Sequence, residues 1–299
     1  MNALRIATSE PDSTFHRQAV AIGELWRRDG LASAVTPIFT EGSVENAKLV
    51  AAGKAEFGCM AANWLPPAAT GGKPFTAALP IRLLTPINSG PLFFAARADS
   101  GLEAFADLKG RRVALGVKNS GMVQHAEGML RAIGLAPGFF EPVYAGASEG
   151  ASMLAEGTID AQFQPPIPNI HFSALTAKTP VKVLPFSTAE RAAIMAAVPS
   201  YAEATIPKNA FPGQRQDATT VAVVNILAVH PDLDAECVRR ATAAIVRGAD
   251  GLAKDNPLFM GLGDLLRKSG DRLVQVLAKA GAAQHPAAAK AFREAGILR

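Results

Sequence analysis

GKAEFGCM, residues 53–60, and GTIDAQFQ, residues 157–164, occupy the same place in the two halves of this 299-residue chain. In each stretch a glycine ends a helical segment, and a short strand-like run follows, Ala55–Met60 in one and Ile159–Phe163 in the other. Glycine commonly follows a helix because it adopts the left-handed backbone without strain. The two stretches therefore predict one structural unit that is used twice, at an offset of roughly a hundred residues.

The first half alternates short apolar runs with amphipathic segments. Residues 4–8 favour a strand, 14–28 a helix, and Val35–Phe39 a second strand, which is followed by a helix from about Val44 to Gly53. The apolar face of the helix over 14–28 carries Phe15, Ala19, Ile22 and Trp26. This alternation is typical of an α/β protein.

The second half has the same order of elements. The pattern predicts a strand over Val113–Gly116, a helix from Ser120 to Gly134, a strand over Pro142–Tyr144 and a helix that ends at Gly157. The inward face of the helix that follows Ser120 carries Met122, Ala126, Leu130 and Ile133. Two lobes of this kind direct strand ends and helix N-termini toward a shared crevice, where ligands bind.

The domain organisation follows from the two halves. We expect lobe I over 1–92 plus 222–299 and lobe II over 93–221, with Phe93–Ala96 and Thr219–Val229 as strands that cross between the lobes and bend as hinges. The alanine- and leucine-rich helices after residue 230 are expected to pack on lobe I. Asp255 is expected to cap a helix before Pro257.

Composition excludes several classes of protein. Hydrophobic residues make up 49% and charged residues 19% of the chain, which allows a large core and suits two domains. The net charge of +4 is scattered and aromatics are only 6%, which argues against nucleic-acid binding. No apolar run is long enough for a transmembrane span, and mean hydropathy is +0.16.

Cysteine and histidine give no metal-site pattern. Cys59 and Cys237 form neither a zinc cluster nor a disulfide framework, although a bridge between the two stays open. Cys59 lies in an apolar run and is expected to be a packing residue. The five histidines are dispersed without ligand spacing, so no metal is expected.

The start of the chain bears on the compartment. Residues 1–3, Met-Asn-Ala, lead directly into the first strand, without a basic stretch followed by an apolar segment. We expect a secretory signal to be either absent or already removed. Removal would place the protein in the periplasm; a chain with no encoded signal would be cytoplasmic.

The turn Lys118-Asn119-Ser120-Gly121 places small, donor-rich residues at the start of a helix. Helix N-termini carry N–H groups without intrahelical partners and a partial positive charge, so they attract anions. Ser120 and Gly121 are expected to donate to a carboxylate, with Lys118 as its countercharge. The alternative is that Asn119 or Ser120 simply caps the helix.

Four segments together resemble one known family. EGSVENAKLVAAGKAEFG (41–58), GLEAFADLKGRRVALGVKNSG (101–121), LRAIGL (130–135) and TIPKNAFPGQRQDATTVAVVNILAV (205–229) are similar to the TAXI solute-binding proteins, which serve tripartite ATP-independent periplasmic (TRAP) transporters. The segments occur in the family's order, and the resemblance extends from about residue 4 to 235.

The resemblance implies a type II periplasmic-binding-protein fold with a ligand cleft and two hinge-crossing strands. It also implies a non-catalytic, monomeric receptor without a cofactor. Such a receptor captures a small carboxylate, either a dicarboxylate or a glutamate-like amino acid, and delivers it to the membrane permease.

The family's contact residues can be carried over to this sequence. They are Ser9, Glu10, Ser13, Thr14 and Phe15 in the first loop; Gly42, Ser43 and Asn46 in the second; Asn63 after the third strand; Asn119, Ser120, Gly121 and Met122 in the opposite lobe; and Gln164 and Asn169 in a proline-containing turn. Trp64 is expected to wall the pocket. The first loop departs from the family in its added acids, Glu10 and Asp12, and in having Phe15 and His16 at the aromatic positions.

Two enzyme alternatives remain open. Residues 146–150, GASEG, fit the G-x-S-x-G pattern of a hydrolase, with His230 or His285 downstream, but no HGGG-like stretch supplies an oxyanion hole. A helix cap explains Ser148 without catalysis. Glu10 and His16 could instead form an acid/base pair in a signal-less cytosolic enzyme, such as an aromatic-acid decarboxylase.

Overall fold

The computed structural model describes residues 3–11, 13–118, 120–164, 167 and 169–298. The chain forms two compact units. Unit 1 comprises Met1–Ser89 and Val224–Arg299, and unit 2 comprises Gly90–Val223. The sequence predicts two lobes that move separately. Their expected boundaries stay a prediction.

The strands of the described residues are β1 Ala3–Ala7, β2 Ala34–Ile38, β3 Phe57–Ala61, β4 Arg82–Arg97, β5 Arg112–Ala114, β6 Glu141–Val143, β7 Ala161–Gln164, β8 Val181–Leu184, β9 Ala202–Ile206 and β10 Ala218–Val229. The helices are α1 Thr14–Arg28, α2 Ser43–Ala51, α3 Leu65–Thr70, α4 Gly121–Ala132, α5 Ala147–Glu156, α6 Ile170–Thr176, α7 Thr188–Ala197, α8 Ala235–Asp255, α9 Leu262–Asp264, α10 Gly270–Lys279 and α11 Pro286–Glu294. A π-helical turn, Leu265–Ser269, joins α9 to α10.

In unit 1 the strand β1 lies between β2 and β3, parallel to both, and β3 pairs antiparallel with β10. The core lies between this sheet and the helices. Trp26 of α1 is fully buried, its ring centroid is 4.7 Å from that of Phe57, and its Nε1–H donates to the Ala241 carbonyl of α8 at 3.0 Å. Phe292 of α11 belongs to the same core, so the helices after residue 230 pack within unit 1.

Unit 2 repeats this arrangement. Strand β5 lies between β6 and β7 and is parallel to both. Strand β4 is antiparallel to β7 on one side and to β8 on the other. The order β2-β1-β3 in unit 1 is thus matched by β6-β5-β7 in unit 2, which confirms the predicted α/β fold built from one unit used twice.

The predicted element boundaries agree with the structure to within a few residues. Gly53, Gly134 and Gly157 each follow a helix with a φ of +65° to +75°, as the sequence predicts for helix stops. Asp255 was the wrong cap: it is the last residue of α8. Its neighbour Asn256 instead caps the 3-10 turn Pro257–Phe259, because the Asn256 Oδ1 accepts from Leu258 N–H at 3.0 Å.

Strands β4 and β10 contain residues of both units. They include Phe93–Ala96 and all of Thr219–Val229, the runs that the sequence predicts as crossing strands. Bending of these strands as hinges stays a prediction.

A loop covers the side of β8 that faces away from β4. Val181 N–H donates to the Pro212 carbonyl at 3.0 Å, and Val183 N–H donates to the Gln214 side-chain Oε1 at 2.8 Å. Gly213 lies between the two acceptors with a φ of +99°, and a Cβ there would lie 2.6 Å from the Val181 nitrogen and closer still to its carbonyl oxygen. This loop therefore needs glycine both for its backbone conformation and for its close approach to β8.

Candidate functional site

The carboxyl ends of β1, β2 and β3 meet at one edge of the parallel part of unit 1. Ligands of open α/β sheets bind outside this edge. The turn after β1 leads into α1, the turn after β2 into α2, and the turn after β3 into Ala62–Trp64 and then α3. These are the three loops that the sequence predicts as contact loops on this side.

The first turn is built around two serines. Ser13 is the N-cap of α1: its Oγ accepts from His16 N–H at 3.3 Å, and its own N–H donates to the Glu10 carbonyl at 3.2 Å. Ser9 Oγ lies 2.6 Å from Ser13 Oγ, and either hydroxyl can donate. One hydrogen of the pair satisfies this bond, which leaves the other for a further acceptor.

The other predicted residues of this turn differ in exposure. Glu10 is exposed, whereas Thr14 and Phe15 are half-buried in the first turn of α1. Phe15 packs against the core of unit 1, and its carbonyl accepts from the Cys59 thiol at 3.9 Å. Asp12 lies outside the described residues.

Asn46 of α2 links the residues that follow β1 and β2 to the middle of β3. It is fully buried, and its Nδ2 donates to the Thr8 carbonyl at 2.5 Å and to the Cys59 carbonyl at 2.7 Å. Its Oδ1 lies 2.6 Å from the Thr40 hydroxyl. Both amide hydrogens are therefore used within the protein, and Asn46 acts on the predicted loops by positioning them rather than through a free donor.

The second turn combines a glycine at positive φ with a serine. Gly42, the N-cap of α2, has a φ of +111° and no side chain to cap the helix. Its N–H donates to the Thr40 hydroxyl at 3.0 Å. Ser43 Oγ accepts from Ala61 N–H at 3.1 Å, a bond that does not use the hydrogen of the hydroxyl. This turn can thus present backbone N–H groups and one hydroxyl to an anion.

The third turn contains Asn63 and Trp64, both half-buried. The Asn63 Oδ1 is buried without a hydrogen-bond partner among the described residues. Buried polar atoms are normally satisfied, so this oxygen is a candidate acceptor for a ligand donor. Trp64 packs against the second apolar cluster of unit 1, which includes Leu65 and Ala68. Trp64 therefore has a packing role in that core. Its role as a pocket wall stays a prediction.

In unit 2 the turn after β5 brings together most of the residues predicted there. Ser120 is the N-cap of α4 and accepts from Val123 N–H through its Oγ at 3.4 Å. Gly121 is exposed with open space around its Cβ position, and Met122 is half-buried. The exposed Lys118 has its Nζ 5.8 Å from the centre of the Tyr144 ring. Asn119 lies outside the described residues.

Gln164 and Asn169 flank the predicted proline-containing turn. Gln164 is buried, and its Nε2 donates to the Gln162 Oε1 at 2.7 Å. Asn169 caps α6, with its Oδ1 accepting from Phe172 N–H at 2.8 Å, while its Nδ2 is buried without a partner among the described residues. The prolines at 165, 166 and 168 lie outside the described residues.

One pair of titratable groups in unit 2 was missed at the level of sequence. His125 of α4 and Tyr201 are both buried, and the His125 Nδ1 forms a short hydrogen bond with the Tyr201 hydroxyl. Burial lowers the pKa of His125 to about 4 and raises the pKa of Tyr201. His125 therefore stays neutral near pH 7. The sequence did contain a signal for this buried histidine: His125 lies at helical spacing between the apolar residues Met122 and Met129.

The thiol of Cys59 is buried, and burial raises its pKa. It is a packing residue, as the sequence predicts. Cys237 is half-buried, and both cysteines are free.

The hydrolase pattern over 146–150 does not form a nucleophile elbow. Ser148 lies inside α5, where its carbonyl accepts from the Ser152 hydroxyl at 3.4 Å. An elbow serine needs a strained turn, and among the described residues Asn209 is the non-glycine residue with a positive φ. His285 caps α11 by accepting from Ala287 N–H at its Nδ1. These residues have structural roles where the motif would require catalytic ones.

Two features are absent from the residues that the structure describes. No group of three or more histidine, cysteine or acidic side chains is placed to hold a metal ion. No helix there is both long and apolar enough to cross a lipid bilayer.

Each unit therefore carries parallel strands in the same order, whose carboxyl ends lead into helix N-termini. This arrangement defines an α/β protein with the fold of the periplasmic binding proteins. The chain belongs to the NMT1-like family, whose profile matches residues 6–296.

Solved structures show the same fold. MatC from Rhodopseudomonas palustris with bound malate is similar at a TM-score of 0.57 and 15% identity, over 98% of each chain. The periplasmic aliphatic sulphonate binding protein SsuA from Escherichia coli gives 0.54 and 16%, over 98% of this chain and 79% of that one. SsuA from Xanthomonas axonopodis pv. citri bound to MOPS gives 0.50 and 16%, over 98% and 84%. At these identities the likeness concerns the fold.

Proposed function

We propose that this protein is a non-catalytic solute receptor that binds a small carboxylate through the strand-end turns of its two units. The observation that carries the proposal is the repeated turn: Ser13 caps α1 in unit 1 and Ser120 caps α4 in unit 2, each six residues after the end of a parallel strand. Malate, a dicarboxylate, is bound to the similarly folded MatC, and a sulfonate-bearing buffer to one SsuA. These named ligands support an organic acid as the ligand.

The chemistry of the turns suits a carboxylate. The Ser9–Ser13 pair and Ser43 offer hydroxyl hydrogens, and the first turns of α2 and α4 offer backbone N–H groups. Lys118 adds a positive charge beside the α4 turn. Hydrogen bonds to an ionised acceptor are about twice as strong as neutral ones, so these donors favour an ionised acid over a neutral ligand.

The finer parts of the proposal concern the transport system. The resemblance to the TAXI proteins supports a TRAP permease as the membrane partner and the periplasm as the working compartment. Within the proposal the receptor is a monomer that closes around its ligand, because contacts made by both units favour the closed state.

The test is a thermal-shift screen of small carboxylates, followed by calorimetry and by mass spectrometry of the mixture. A receptor gives stoichiometric binding, an upward shift in Tm that grows with ligand concentration, and an unchanged ligand mass. If the protein forms product steadily and Glu10→Ala or His16→Ala abolishes this turnover, the decarboxylase alternative replaces the receptor proposal. If none of the acids binds, the proposal is refuted.

Ser120→Ala tests the α4 turn itself, and Ser187→Ala is its matched control. Ser187 is also a serine N-cap in unit 2, accepting from Glu190 N–H at 3.2 Å, but it lies outside the predicted contact loops. Both variants lose a cap worth about 1 kcal/mol of stability. Only Ser120→Ala is expected to weaken ligand binding, by about 1.5–3 kcal/mol. Equal affinities for the two variants would make the Ser120 turn a helix cap only.

A further inference from the structure

Each unit exposes one aromatic side chain at the same point of the repeat. Phe39 follows β2 directly and is 56% exposed, and Tyr144 follows β6 directly and is 45% exposed. β2 and β6 are the equivalent strands of the two units. Each is followed by a helix with a glycine N-cap, Gly42 before α2 and Gly146 before α5.

Random exposure of aromatic side chains does not explain why the same position is exposed in both units. The chain has 15 Phe, 2 Trp and 2 Tyr, all within the described residues, and the other 17 are buried or half-buried. Single exposed apolar residues are common on proteins. Here, however, the two exposed aromatics fall one in each unit, at equivalent strand ends that face the predicted contact loops of their own unit.

A basic side chain from the neighbouring turn contacts each of these aromatics. The His16 ring, in the first turn of α1, lies edge-on to Phe39 with 5.1 Å between ring centroids and an interplanar angle of 73°. The Lys118 Nζ lies 5.8 Å from the Tyr144 ring centre. An ammonium near a ring face is attracted by the negative face of the π-system, which holds the cation close to the aromatic surface.

From these contacts we infer that the ligand is an aromatic carboxylate, whose ring packs on Phe39 or Tyr144 while its acid group binds the serine-capped turns. The inference rests on the proposed receptor function and narrows its ligand class. An aliphatic acid uses the donors of the turns but gains nothing from ring-to-ring contact. A planar ring gains stacking or edge-to-face energy beyond the area it buries.

The experiment compares acids that differ in planarity but match in size and charge. Benzoate, phthalate and benzenesulfonate are titrated against cyclohexanecarboxylate, cyclohexane-1,2-dicarboxylate and cyclohexanesulfonate, with malate and glutamate as small aliphatic acids. We expect at least one planar acid to bind about five- to tenfold more tightly than its saturated counterpart. No planar preference, or exclusive binding of malate or glutamate, would overturn the inference and leave the receptor proposal standing.

Variants then assign the preference to the two rings. Tyr144→Leu and Phe39→Leu keep apolar area but remove the ring, and one or both are expected to bring the planar-to-saturated affinity ratio close to one. Met260→Leu is the control, because Met260 is another exposed apolar residue of unit 1 outside the turns. If both ring variants keep the wild-type ratio, the aromatic assignment is wrong. If no acid binds the wild type, the receptor proposal fails together with it.

Discussion

Gly213→Ala probes the loop that covers β8. The substitution adds a Cβ at a φ of +99°, where a non-glycine residue costs about 1–2 kcal/mol. The same Cβ would lie 2.6 Å from the Val181 nitrogen, which is part of a paired strand and cannot move away. The loop must therefore lift and lose its two hydrogen bonds to β8, worth about 1 kcal/mol each. The total loss is about 3–4 kcal/mol.

Gly134→Ala is the matched control. Gly134 also has a positive φ, +75°, but nothing lies within 4 Å of its Cβ position, so this variant bears the conformational cost alone. Urea unfolding of both variants gives the two free energies of unfolding, and hydrogen exchange reports on the Val181 and Val183 amides. We expect the larger loss, and faster exchange at these two amides, in Gly213→Ala only. Equal losses of about 1–2 kcal/mol would refute the reasoning that this loop is pressed on β8.

Three further outcomes follow from the described contacts. Asn46→Leu removes the amide that donates to the buried Thr8 and Cys59 carbonyls, although the Thr40 hydroxyl still reaches the Thr8 carbonyl at 2.9 Å. We expect the free energy of unfolding to fall by about 2 kcal/mol in chemical denaturation; an unchanged value would contradict the role of Asn46 in holding these strands together. Because the pKa of His125 is lowered to about 4 in the fold, the unfolded chain binds the extra proton as pH falls from about 6.5. Stability should therefore drop by about 3 kcal/mol between pH 6.5 and 4, and His125→Gln should flatten that part of the pH profile; an unchanged slope would exclude His125 as the cause. Lys118→Met should weaken carboxylate binding and reduce its salt dependence, whereas unchanged titrations at low and high salt would place Lys118 away from the anion.

Local signals made the fold predictable. Helix-stopping glycines at 53 and 157, and the alternation of apolar runs with amphipathic helices, depend on residues near in sequence. The serine caps Ser13 and Ser120 were also predictable, since the N-cap preference is a property of the turn itself. The error at Asp255 is a shift by one residue, because Asp and Asn are about equally good caps.

Side-chain direction was not predictable in the same way. Asn46 has the right spacing for a contact residue, yet its amide faces inward because Thr8 after β1 and Cys59 within β3 lie beside it, which only the tertiary fold determines. Phe39 and Tyr144 were assigned to the ends of strands, where a side chain faces either the core or solvent. Which face each takes depends on register, and a register shift of one residue reverses it.

The three bonds at Asn46 also bear on the entropy of binding. Thr8 and Thr40, which follow β1 and β2, and Cys59 within β3 are restrained by these bonds when unit 1 folds, so the bases of the proposed contact loops have little conformational freedom left to lose on binding. Ordering on association is then confined to outer side chains such as the exposed Glu10. Loosening the strand ends by substitution of Asn46 would transfer that ordering cost from folding to binding, and calorimetry would register it as a less favourable entropy of association.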